Sequence, residues 1–343
     1  MSAGSAIEWT HNTHNLWIGC SRVSPGCRFC YAERDAERFW PGQWHLAGPR
    51  TFLSEGYWRK PLAWNRAARR SGTSTLVFCG SMCDFAEVHP DPEIGARQDA
   101  ARARLWDLIA VTPWLTWQLL TKRPENVAAL VPWGDDWPRN VWLGTSVEDQ
   151  TRAEQRIPAL LALPARTRFL SCEPLLEQLD LSRWLGIEHF DSFGWGQELG
   201  AALAGRVGPA GGLHWIIGGG ESGPRARPMH PAWATSLRDQ ALAAGVPFFH
   251  KQHGEFRPDG PVYAAGETEA DFDATMLEVN GTGCALELDG ARPVRWDTRE
   301  ITVDAVPSTS AWWMSKVGKK AAGRALGGQE WQQMPERWIP VAA

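Results

Sequence analysis

The chain has 343 residues, of which 43% are hydrophobic and 22% charged, with a net charge of −4. This length holds one large domain or two modest ones, with a core that needs no staples. The mild acidity does not advertise nucleic acid or an anionic membrane as a partner, and it leaves room for local basic patches. No apolar run approaches the roughly 20 residues of a membrane span. The opening "MSAGSAIEWTHN" lacks the basic and apolar regions of a signal peptide, so the reading is cytoplasmic, with thiols kept reduced. The 21 tryptophans are spread along the whole chain, which reads as packing rather than a bank of base-stacking platforms.

The first element in chain order is a strand before Cys20, followed by "WIGCSRVSPGCRFCYAER" (Trp17–Arg34), which holds three of the seven cysteines. Short apolar runs with polar tips then recur, separated by helical stretches. They are "TLVFCGSMCD" from Thr75, "WLTWQLLTKR" from Trp114, "NVWLGTSVED" from Asn140, "RFLSCEPLL" from Arg168, "LHWIIGGGES" from Leu213 and "VPFFHKQ" from Val246. Helices are expected over Asp91–Ala110, from Pro124, after Asp149 and near Pro231–Ala244. Apolar runs of this kind suit strands buried on both faces of a parallel sheet. About seven such βα units predict an α/β fold, a parallel (β/α) barrel, whole or partial, over residues 1–253. Its strand ends carry Cys20, Ser81, Lys122, Ser146, Glu173, Glu221 and Lys251, at the face where such barrels place their sites. A Gly-rich insertion interrupts the rhythm at 184–212, and residues 254–343 read as a C-terminal appendage of short strands with a basic end.

Three thiols on one loop are an odd number for disulfides and one short of a closed zinc site. A 4Fe–4S cluster held by Cys20, Cys27 and Cys30 leaves one iron open to chelate S-adenosylmethionine (SAM). Gly19, Pro25 and Gly26 let the loop curl, and a helix starting near Cys30 aims its N–H groups at the anionic cluster. The alternative is structural zinc with His11 or His14 as fourth ligand, although no second paired knuckle exists. Glu173 is expected to project into the barrel mouth, and Lys122 and Arg123 to clamp a carboxylate or phosphate. Cys83 and Cys172 lie beside strand tips as candidate hydrogen-atom donors. Arg227, His230, His250 and Lys251 are candidates for an anionic substrate.

The spacing C-x6-C-x2-C-Y resembles the radical SAM motif with a longer first gap. More specifically, "IEWTHNTHNLWIGCSRVSPGCRFCYAER", "GSMCDFAE", "LLTKRPEN", "WLGTSVEDQ", "RFLSCEPLL", "WIIGGGESGPRARPMHP", "AGVPFFHKQHGE" and "VGKKAAGRALGG" resemble a phage-linked family of radical-SAM-like proteins of unknown function. Departures are Gly186–Gly212 and Phe256–Thr309. The resemblance implies a radical SAM barrel, a three-Cys-motif partner protein and a reductant such as flavodoxin or ferredoxin. It places SAM contacts at Ser81 and Asp84, at Ser146 and Glu148, and at Gly219, Glu221 and Ser222. Three functions compete: a radical SAM enzyme on nucleic acid, one on a small molecule or peptide, and a zinc-stabilised nucleic-acid-binding module.

Overall fold

The computed structural model describes residues 4–186, 212–263, 267–271, 282–297 and 300–337. Nearly all of the 184–212 insertion lies outside them. Seven parallel strands form one sheet in the order β1 (Asn12–His14), β4 (Thr75–Cys79), β5 (Leu115–Thr121), β6 (Val141–Ser146), β7 (Thr167–Cys172), β8 (Trp215–Gly219) and β9 (Phe248–Gln252). Each strand is added on the same side of the last, so the sheet curls in one direction as a partial barrel. The short strands β2 (Trp17–Ile18) and β3 (Thr51–Phe52) pair with each other beside it.

The helices begin where local chemistry dictates. Asp91 caps α4 (Pro92–Val111), its carboxylate accepting from the N–H groups of Glu93 and Ile94, with Pro92 in the first turn. Asp149 caps α6 (Gln150–Leu161) through the N–H of Arg152. His230 caps α8 (Pro231–Ala243) through Ala232. These side chains satisfy donors that the first helical turn leaves free.

Strand side chains alternate between two cores. One face, with Val77, Leu119, Leu143, Leu170, Cys172 and Ile216, packs on the helices. The other face, with Leu76, Phe78, Trp142, Phe169, Trp215, Ile217 and Phe249, fills the concave interior, and Trp9 from the N-terminal segment closes it. The Trp9 ring lies 4.7 Å from Phe78 and 6.1 Å from Trp215, edge-on to the latter. These buried tryptophans bear out the packing reading.

The chain beyond β9 forms a second sheet and a tail that pack on the half-barrel. Strands β10 (Phe256–Pro261), β11 (Thr282–Leu286), β12 (Val294–Asp297), β13 (Glu300–Val303) and β14 (Trp312–Lys316) form an antiparallel sheet in the order β10-β14-β11-β12-β13. It is fastened to α8 by a bond from Trp233 Nε1 to the Leu288 carbonyl, 2.8 Å. The tail then returns to the half-barrel edge. The Trp331 carbonyl accepts from His250 N at 2.8 Å, and Gln333 N donates to the Phe248 carbonyl at 3.1 Å. Met334 packs on the concave core, and Arg337 reaches the Ser74 carbonyl before β4. Periodicity could not show that this tail covers an exposed strand edge, because the pairing is between residues some 80 positions apart.

Candidate functional site

A cavity of about 1160 Å³, open mouth included, sits at the C-terminal ends of the strands. Its wall carries Cys20, Cys27 and Cys30 from the loop after β2. Opposite and around them lie Ser81 and Asp84 after β4, Lys122 and Arg123 after β5, Ser146, Glu173, Glu221, Ser222 and Lys251. Seven separate segments therefore contribute to one concavity, the arrangement expected at the functional face of a (β/α) sheet.

The cysteine loop is held from several sides. Gly19 has φ +115°, and a Cβ there would meet the Gln43 carbonyl at 2.8 Å, so this turn needs glycine. Glu87 accepts from Ser21 N (2.7 Å) and Ser21 Oγ (2.8 Å). Arg50 clasps the same carboxylate with Nε and Nη2, both at 2.8 Å. Arg123 donates to the Ser21 carbonyl at 2.8 Å and to Asp84 at 2.7 Å, and its Nη1 stands 3.8 Å from Cys20 Sγ. On the far side Glu148 accepts from Gly26 N at 3.3 Å and from Arg156 at 2.8 Å. Arg227 is bound to Glu221 and donates to the Pro25 carbonyl at 3.1 Å. Cys30 itself is the N-cap of α1 (Tyr31–Glu37).

The charges are unevenly satisfied. Burial would raise the carboxyls of Asp84 and Glu87, but Arg123 and Arg50 with their surrounding donors outweigh it and hold both below the ordinary carboxylate range. Burial pushes the Cys20 thiol well up, against Arg123, and pushes Cys30 up against the N–H groups of Glu33 and Ala32 and Lys122. Lys122 donates to Ser146 Oγ at 3.1 Å. Burial works against its charge, yet Cys27, Glu148 and Cys30 raise it further. Among the described residues no carboxylate oxygen lies within 4 Å of its ammonium. Deeper in the cavity, Glu173 pairs with Lys251 at 3.1 Å and accepts from Trp9 Nε1 at 3.2 Å.

Among the described residues, no three His, Cys, Asp or Glu side chains converge closely enough to hold a single metal ion. A cluster makes a different demand, since each thiolate meets a different iron. Three free thiols on one wall, beside the ammonium of Lys122 and the guanidinium of Arg123, fit an anionic three-thiolate cluster. The histidines of the zinc alternative lie elsewhere. His11 accepts from Leu76 N at 3.0 Å, and His14 is buried against Tyr57, Trp58 and Trp117.

Strand alternation sorts the remaining candidates. Glu173, Ser171 and Lys251 face the cavity, whereas Cys172 faces the helices, is fully buried and is absent from the wall. A residue one position away on a strand points to the opposite face, so the Cys172 thiol is turned away from this cavity. Cys83 does line it, and burial raises its thiol to about 12, which keeps the S–H intact. Glu148 lies beneath the cysteine loop, outside the wall, and Gly219 gives way to Gly220 as the lining residue. Asp84 and Glu221 line the cavity, but their oxygens are engaged by Arg123, Thr121 and Lys122 N, and by Arg227. Ser81 is pinned by Asn15 at 3.0 Å. Of the anion-binding candidates, His250 is buried among Phe248 and His253, and His230 bonds the Ser310 carbonyl, leaving Lys251 and Arg227 near the site. Sequence reading missed Arg50, Glu87 and Ser21. Glu87 ends "GSMCDFAE", so the signal was present, but its partner 37 residues upstream was not visible.

The family described as "Protein of unknown function (DUF5131)" matches residues 4–335. No curated protein and no solved structure matches the chain.

Proposed function

We propose that this chain, which belongs to the DUF5131 family of proteins of unknown function, is a radical SAM enzyme carrying a 4Fe–4S cluster on Cys20, Cys27 and Cys30. The observation that supports it best is the placement of three free thiols on one wall of the cavity into which six strand ends converge. When bound, the cluster supplies an electron that cleaves SAM to methionine and a 5′-deoxyadenosyl radical.

The chain's own residues do the holding and shielding. Lys122, which has no carboxylate partner within 4 Å among the described residues, and Ser146 present a cation and a hydroxyl for the methionyl carboxylate of SAM. Ser222 offers a polar edge for its amino and ribose groups, while Ser81, held by Asn15, and Glu173, held by Lys251 and Trp9, shape the recess beside it. Asp84, Glu148 and Glu221 serve as braces for the loop rather than direct contacts, because their oxygens are already engaged. Trp9, Phe78 and Leu120 form an apolar floor that keeps water from a reactive species. Cys83 stands at the wall as a protonated thiol, the remaining candidate hydrogen-atom donor. The three-Cys-motif partner protein and a flavodoxin or ferredoxin belong to this reading as partners.

Anaerobic reconstitution tests it. A brown protein with about four irons per chain is expected, losing its colour on Ala substitution of the three cysteines. Reduction with dithionite in the presence of SAM should release 5′-deoxyadenosine. Colourless protein containing zinc, or an intact reducible cluster that never cleaves SAM, sinks the proposal.

A further inference from the structure

One cluster of cations gathers around an aromatic ring on the cavity wall, and two of its members take no part in holding the cysteine loop. Phe29, on the cavity wall between Cys27 and Cys30, carries three guanidiniums about its ring: Arg28 at 5.2 Å, Arg225 at 5.1 Å and Arg227 at 5.3 Å from the centroid. Arg227 is neutralised by Glu221. Arg28 and Arg225 are exposed, and among the described residues neither has a carboxylate within 4 Å. Next to Arg225, Lys316 of β14 donates to the Pro224 carbonyl. Three segments far apart in a chain of net charge −4 thus bring positive charge to one edge.

The other end of α1 repeats the combination. Arg38 lies 5.4 Å over the ring of Phe39, which is 65% exposed, and Trp40 packs beside it at 5.8 Å. Arg38 likewise has no carboxylate within 4 Å among the described residues. The two cation–aromatic groups flank a seven-residue helix, which rises about 10 Å. A single phosphate would occupy only one of them.

We infer that this rim binds single-stranded nucleic acid, with phosphates on Arg28 and Arg225 and a base on Phe39, and delivers one nucleotide to the cavity. The inference rests on the radical SAM reading for what happens to that nucleotide, but binding itself does not require the cluster. Planar guanidiniums match phosphate oxygens, and seating them on an aromatic ring fixes their direction. Exposed rings beside them are the sequence-tolerant platforms that unpaired bases stack on. Single strands are specified because the reacting atoms lie in a recess among strand ends, and a base within a duplex stack cannot enter one.

The experiment is fluorescence anisotropy of the full, anaerobically reconstituted chain with a labelled short DNA or RNA single strand, over a range of salt. Binding should weaken steeply with salt. The Arg28→Ala/Arg225→Ala double variant should bind at least tenfold more weakly and flatten the log–log salt slope by about 1.4, roughly 0.7 for each lost phosphate contact on a single strand. Arg225→Lys should restore its share of the slope, and Phe39→Ala should weaken binding about fivefold or more while leaving the slope unchanged. No binding at low salt overturns the inference, as do unchanged affinity and slope in the double variant, equal binding of duplex, or equal competition by polyglutamate or inorganic phosphate. Iron content and SAM cleavage without nucleic acid are measured on the same preparation. A protein that binds the strand but holds no iron refutes the enzyme reading and leaves the rim, whereas an active cluster with no strand binding refutes the rim alone.

Discussion

Glu87→Gln removes one charge from beneath the cysteine loop while keeping the side chain's shape. Glu87 and Arg50 are 1% and 0% exposed at their side chains. The carboxylate accepts five hydrogen bonds, from Ser21 N, Ser21 Oγ, Arg50 Nε, Arg50 Nη2 and Gln98 Nε2. An amide has one acceptor oxygen, so its NH2 must face either Arg50 Nε and Gln98 or the Ser21 donors. Removing one member of a buried ion pair typically costs about 3–5 kcal/mol, because the other charge is left uncompensated. Arg50 keeps the carbonyls of Gln43, Gly48, Pro49 and His45 as acceptors, which places the expected loss near 3 kcal/mol. The assay is urea denaturation of the metal-free chain, paired with iron content after reconstitution. Iron should fall with stability, since Ser21 adjoins Cys20. A loss below about 1 kcal/mol in Glu87→Gln, or normal iron in a destabilised variant, would refute the anchoring role.

Acid should destabilise the fold through two histidines. Burial lowers His14 and His250 to about 3, and no ring nitrogen of either has a hydrogen-bond partner among the described residues. The unfolded chain takes up protons that the fold refuses between about pH 6.5 and 3, so stability falls with pH across that window, by roughly 2 kcal/mol per histidine at pH 5. His14→Phe should remove its share of this dependence, and an unaltered slope in its pH–stability profile would count against the burial argument. Cys172→Ala should cost about 1 kcal/mol through a small cavity and leave SAM cleavage intact; loss of cleavage at full folding would place Cys172 in the chemistry after all. Lys122→Met should weaken SAM binding at least tenfold by calorimetry on an iron-loaded protein, and unchanged affinity would remove Lys122 from the cofactor site.

The βα rhythm was readable because strands buried on both faces must be apolar along their whole length, and their tips must then turn polar. Those runs located β4 to β9, and the parallel sheet follows from the helices between them. The three cysteines on one loop were legible for the same local reason, as was Glu173 at a tip. What a sequence could not supply was which side of each strand meets the cavity. That depends on the phase of a two-residue period, and one position separates Glu173 in the cavity from Cys172 against the helices. Nor could it pair Arg50 with Glu87, Arg123 with Ser21, or Glu148 with Gly26, since such bonds join segments that only the curl of the sheet brings together. The same holds for the tail that covers β9 and for Arg28, Arg225 and Lys316 at one rim. Local pattern is fixed by neighbouring side chains, whereas the fate of a buried charge is fixed by whichever distant group the fold places within about 3 Å of it.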